Sequence, residues 1–137
     1  MRNLTAAAAP LAAVLVSCSS VKELLTDPTA FDSFSVSRDY ESVLRDVRTY
    51  ALQCYQQQEV SHRTTITSRS SPVSKSAEVS VVMRAYDITK QKMRIGLKAV
   101  EPQETEVGVR DLYVEGARER FEGIKRAAET GSAPCPT

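Results

Sequence analysis

For residues 31–137 the sequence predicts a single α+β domain: a two-layer sandwich, an antiparallel sheet of about four to five strands packed by two helices in the order β-α-β-β-β-β-α. Three observations lead there. Between residues 79 and 109 three successive segments alternate apolar and polar side chains, the period of half-buried strands joined by short turns. Tyr40, Val43, Leu44, Val47, Ala51 and Cys54 step by three and four, one apolar stripe of a helix. Val114, Ala117, Phe121, Ile124 and Ala128 repeat that spacing near the end. One apolar face on the sheet and one on each helix leave a single shared interior.

The elements follow in order. Phe31–Val36 alternates at Phe34 and Val36 and reads as a first strand. Ser37 is the expected cap of the first helix, because its hydroxyl can accept a free N–H of the first turn. His62–Arg69 has β propensity with little apolar weight, the composition of a half-exposed or edge strand. Ser70–Ser76 is polar and reads as a loop. Val79, Val81, Met83 and Ala85 then alternate with polar partners, a turn is expected near Thr89-Lys90, and Met93, Ile95, Leu97 and Ala99 resume. Pro102 marks another turn before Val107 and Val109. Asp111 is the expected cap of the last helix, Gly131 ends it, and Pro134 forbids its resumption.

Composition narrows the function classes. Hydrophobic residues at 42% and charged residues at 26% exclude a disordered chain and a polytopic membrane protein. Eighteen Lys and Arg against 17 Asp and Glu give a net charge of +1. Bulk charge of that size does not support a nucleic-acid binder.

The start of the chain is different in kind. Arg2 is the sole charge before Cys18, and the uncharged run Leu4–Val16 is too short to span a bilayer, which takes about 20 apolar residues. A basic start with a short apolar centre describes a secretory signal peptide. Leu15-Val16-Ser17-Cys18 resembles the lipobox of bacterial lipoprotein precursors, with Leu three residues before the Cys and a small residue just before it. That resemblance implies that residues 1–17 are a signal peptide and that Cys18 becomes the first mature residue. Its sulfur would carry a diacylglycerol and its amino group a third acyl chain such as palmitate. Two or three acyl chains anchor stably where one does not. Ser19 stands where Asp would resemble an inner-membrane retention signal, so the expected location is the outer membrane, with the domain in the periplasm. Residues 18–30 would form the lipidated end and a tether, reaching at most about 40 Å when extended.

The three cysteines are 18, 54 and 135. If Cys18 carries lipid, Cys54 and Cys135 are left to pair in an oxidising compartment. Such a bridge closes most of the mature chain into one loop and contributes up to roughly 4.5 kcal/mol by the chain-entropy argument. No C-x-x-C occurs, so a redox motif or zinc knuckle lacks its spacing.

Little else carries chemistry. His62 is the sole histidine, there is no G-x-S-x-G, and no glycine-rich phosphate loop occurs. The acidic residues sit beside arginines or at turns. The expectation is therefore a protein that is not an enzyme and binds no metal or cofactor. One pattern stands out on the even positions of the meander: Arg84, Tyr86, Arg94, Lys98 and Arg110, diluted by Glu78 and Glu106. It reads either as a solvated face whose charges prevent aggregation or as a docking face for an envelope protein or an anionic envelope polymer, with Tyr86 as aromatic anchor. The element order resembles the helix-grip arrangement of envelope lipoproteins, including an accessory lipoprotein of the β-barrel assembly machinery. The expected function is a lipid-anchored interaction or accessory module. The alternatives are a small binder of peptidoglycan, glycolipid or a hydrophobic ligand between the layers, and an inhibitor of a lytic enzyme.

Overall fold

The computed structural model describes residues 30–137; the lipobox, Cys18 and the tether lie outside the described residues. Six strands and two helices follow in the order β1 (Ala30–Val36), α1 (Tyr40–Cys54), β2 (Gln57–Gln58), β3 (Arg63–Ser71), β4 (Ser76–Ala85), β5 (Ile88–Glu101), β6 (Glu104–Asp111) and α2 (Ala117–Thr130). All pairings are antiparallel, and the strands lie in the order β1-β6-β5-β4-β3-β2. The α+β class, the antiparallel sheet and the two helices match the sequence pattern. The strand count is six rather than four to five.

Alternation decides which side chains enter the core. Val79 and Val81 in β4, Met93, Ile95 and Leu97 in β5, and Val107 and Val109 in β6 are all buried. They meet Val43, Val47, Tyr50 and Ala51 of α1 and Ile124, Ala127 and Ala128 of α2. Phe34 of β1 meets Phe121 of α2 edge to face, ring centroids 5.5 Å apart, and so ties the sheet edge to the second helix.

Four local expectations need correction. The β4–β5 turn is Tyr86-Asp87, and β5 begins at Ile88; residues 89 and 90 are already paired with β4. A bulge at Lys92 shifts the register between Val81 and Val82, and past it Met83 and Ala85 are half-buried and stand outside the core. Asp39 rather than Ser37 caps α1, accepting the Ser42 N–H at 3.0 Å, and that bond holds its carboxyl below the usual range. Asp111 closes β6 instead of capping α2, which starts at Ala117 after Gly116. Val114 accordingly lies in the exposed connection and not on the helix stripe. Gly131 does end α2, at φ +93°, a left-handed conformation that costs glycine nothing.

The helices approach closely where Gly123 faces Tyr50. A Cβ at position 123 would overlap the Tyr50 hydroxyl. Tyr50 is 2% exposed and its hydroxyl has no hydrogen-bond partner. Gly123→Ala should therefore destabilise the domain by about 1–3 kcal/mol through overpacking, despite alanine's better helix propensity. Adding Tyr50→Phe removes the clashing, unpaired hydroxyl and should restore part of the loss in urea unfolding. A Gly123→Ala protein as stable as the parent would mean that the helices are further apart.

Arg38, between β1 and α1, joins three elements. Its guanidinium donates to Asp46 at 2.7 Å and to the Ala128 carbonyl near the end of α2 at 2.8 Å, while its own carbonyl accepts from Thr105 at 2.9 Å. Burial alone would raise the Asp46 carboxyl, but hydrogen bonds from Arg38 and Arg45 outweigh it and hold it low. A lowered native pKa means that this stabilisation is complete above the unfolded value, near 3.8, and is lost as pH falls through the native one. Asp46→Asn should cost about 1–2 kcal/mol at neutral pH. In thermal melts the gap between parent and variant should close on acidification below that value. A gap that did not narrow at all as the pH falls would contradict the assignment.

Candidate basic sheet face and end cleft

Both helices pack on one face of the sheet, and the opposite face is uncovered among the described residues. Residues directly opposite in an antiparallel ladder point to the same side. Hence Arg94 of β5 stands opposite Arg110 of β6 and Ser80 of β4, and Arg110 stands opposite Phe31 of β1. Further along, Arg84 of β4 stands opposite Arg63 of β3. The uncovered face therefore carries two facing arginine pairs, an arrangement that weakens a sheet unless something negative relieves it.

Part of the relief is internal. Glu78 meets Arg94 at 3.2 Å, and the Ser80 hydroxyl bridges Glu78 and the Gln91 amide. Lys98 stands opposite Glu106. The Glu78–Arg94 pair is about half exposed and is worth no more than about 1 kcal/mol. Arg110 lies over the Phe31 ring, 5.8 Å from its centroid. Arg84 and Arg63 have no carboxylate in a salt bridge among the described residues.

Arg84, Arg94, Lys98 and Arg110 thus share the face that their even spacing suggested. Tyr86 does not join them. The strand ends at Ala85, and Tyr86 sits in the two-residue turn at φ +54°, 95% exposed. The aromatic ring on this face is Phe31, which follows from the same parity: with Phe34 and Val36 inward, residue 31 points outward. Arg63 is the other member the spacing missed, because the first residue of a weakly apolar strand gives no sign of which face it takes.

At one end of the sandwich the two layers part. A cleft of about 940 Å³ opens between the end of α1, β3, β5 and the β6–α2 connection. Val81 and Met93 line it, with Tyr55, Thr64, Lys92 and Tyr113 around them. Burial raises the Tyr55 hydroxyl pKa, and that hydroxyl has no hydrogen-bond partner. Asp111 anchors one wall. Buried to 4% side-chain exposure, it accepts from Arg120 and from the Tyr113 N–H, and Arg120 also donates to the carbonyls of Tyr113 and Glu115. One guanidinium holds the whole connection.

The C-terminal tail forms the rim. Cys135 and Cys54 stand at disulfide-bonding distance with Cα atoms 5.2 Å apart, which brings Pro136 and Thr137 beside the cleft. His62 lies in the β2–β3 loop, 3.5 Å from Glu59, with Ser61 beside it. Among the described residues no three His, Cys, Asp or Glu side chains cluster as a metal site would, and none of their helices is long and apolar enough to cross a membrane. No protein-family model matches the chain, and the search of curated proteins returned no match.

Proposed function

We propose that the protein is a lipoprotein of the outer membrane, acylated at Cys18, whose periplasmic domain works without catalysis as an interaction module. The observation that carries this reading is the uncovered sheet face with Arg63 opposite Arg84 and Arg94 opposite Arg110. Facing arginines cost stability in the free domain, and an anionic partner laid across them would turn that cost into binding energy. The partner is an acidic surface of an envelope protein or an anionic envelope polymer. Lys98 and Phe31 lie on the same face.

Two measurements test it. The intact mass of the chain from the membrane fraction should begin at Cys18 and include acyl chains. Arg94→Ser with Arg110→Ser should leave thermal stability within about 1 kcal/mol of the parent, because the exposed Glu78–Arg94 pair and the Arg110–Phe31 contact are lost together with the repulsion between the arginines. The same variant should lose crosslinks formed in living cells from a photoreactive side chain at position 98. Undiminished crosslinking would overturn the docking face.

A second reading is supported by the end cleft. A ligand held in the cleft, a glycolipid or another amphipathic molecule, would meet apolar Leu112, Tyr113 and Val114 beside polar Gln57 and Lys92. Such a ligand would raise the melting temperature. Gln57→Trp, at an exposed position of the lining, narrows the cleft and should abolish that rise while leaving crosslinking from position 98 intact.

A further inference from the structure

The strand registers give the domain two unlike ends. Asp111 closes β6 opposite Met93 of β5 and Ala30 of β1, and there the outer strands stop. β4 and β5 continue for four more residue pairs, from Val82–Gln91 to Ala85–Ile88, a projection of about 13 Å. At its tip Tyr86 is 95% exposed and Ile88 66% exposed. The β2–β3 loop ends at the same level, since Arg63 pairs with Arg84, and it adds the fully exposed Val60. Arg63, Arg84 and Lys90 flank this tip against Glu59 and Asp87, and Glu59 already faces His62. The far end has two exposed valines as well, Val73 and Val100, but there Asp39, Glu41, Glu101 and Glu104 outnumber Arg38 and Lys75.

The chain enters the domain at the projecting end, because β1 begins at Ala30. Cys18 is thus connected to this end by a segment that reaches at most about 40 Å. We infer that the β4–β5 tip is a second membrane contact: Tyr86, Ile88 and Val60 enter the interfacial layer of a phospholipid bilayer while Arg63, Arg84 and Lys90 meet its phosphates. The inference rests on the lipid anchor at Cys18. A tyrosine with an apolar ring and polar hydroxyl suits the headgroup level. The affinity of so small an apolar patch is weak by itself, but a short tether holds the tip at a high effective concentration, so weak affinity suffices. The acidic far end is repelled by the same surface. The domain is therefore held end-on, with the sheet face perpendicular to the membrane and its Arg94–Arg110 pair open to partners.

The chain contains no tryptophan, so a single introduced one is an unambiguous probe. Full-length Tyr86→Trp protein, purified from the membrane fraction, is reconstituted into vesicles of phosphatidylethanolamine and phosphatidylglycerol with and without brominated acyl chains. The indole emission of this variant should shift to the blue in vesicles and be quenched by the brominated lipid. Ile88→Trp repeats the measurement at a residue of ordinary strand conformation, and Val73→Trp at the far end should stay red-shifted and unquenched. Protein that sediments with vesicles while neither the Tyr86→Trp nor the Ile88→Trp variant is quenched overturns the tip contact and leaves the anchor standing. Equal quenching at position 73 overturns the orientation. A blue shift at position 86 in vesicles without quenching by the brominated lipid assigns the tip to a second copy of the chain and overturns the membrane contact. Protein that does not sediment at all removes the anchor, and the inference with it.

Discussion

Arg120→Met should destabilise the domain by about 3 kcal/mol, the loss expected when a buried carboxylate is left without its cation. Asp111 has only 4% of its side chain exposed, and Arg120 is its one ion-pair partner among the described residues. Two further bonds disappear with the guanidinium, those to the Tyr113 and Glu115 carbonyls. The connection from Leu112 to Gly116 should then exchange its amide protons faster than the strands do. The second half of the experiment is Asp111→Asn in the same background. Asparagine keeps an acceptor for the Tyr113 N–H and carries no charge to strand, so the double variant should recover part of the loss. A double variant as unstable as the sum of the two singles would show that the pair is not coupled. Because Asp111 and Arg120 form a wall of the end cleft, both variants should also abolish any thermal shift produced by a cleft ligand.

The second large effect concerns Cys54 and Cys135. Replacing both by serine, or adding reductant, should lower stability by about 2–5 kcal/mol. The separation of 81 residues places β2 to β6 and α2 inside the loop, with β1 and α1 before it. Little else holds the tail. Cys135 is on an exposed segment, and of the residues after α2 only Ala133 packs against the core. Reduction should therefore release Pro136 and Thr137 from the cleft rim while the sheet stays folded at moderate denaturant. Coincident unfolding midpoints with and without reductant would mean that the two sulfurs are not joined in solution.

Much of this architecture was legible in the sequence because parity is robust. Val79, Val81, Met93, Ile95, Leu97, Val107 and Val109 all face the helices as their alternation requires. The turns were less legible. Tyr86-Asp87 has none of the glycine, proline or asparagine that usually signals a two-residue turn, and the bulge at Lys92 breaks the alternation that would have located it. That error carried into the site: counting evenly through Ala85 put Tyr86 on the basic face, whereas the backbone reverses there. β2 was invisible because two glutamines carry no periodicity. Asp111 looked like a cap because acidic residues favour helix starts, and nothing local shows that it faces an arginine nine residues on. The Tyr50–Gly123 contact has no sequence signature at all, since it depends on how closely two helices cross.

The sheet order has a consequence for the chain during its synthesis. Among the described residues β1, the first strand, pairs with β6, the last, and with no other. α1 likewise has to wait for α2 to cover Tyr50. As the chain emerges, β2 to β5 can pair with neighbours in turn, but Phe34 and Val36 have no partner strand until residue 111 is out. Folding is therefore completed late, in one closure that joins the two ends of the sequence, and it should be slow for a domain of this size. The partner of Cys54 arrives later still, after every strand of the sheet. Until then a nascent chain presents an apolar N-terminal strand with no sheet to join, which makes it a ready substrate for any holding chaperone it meets.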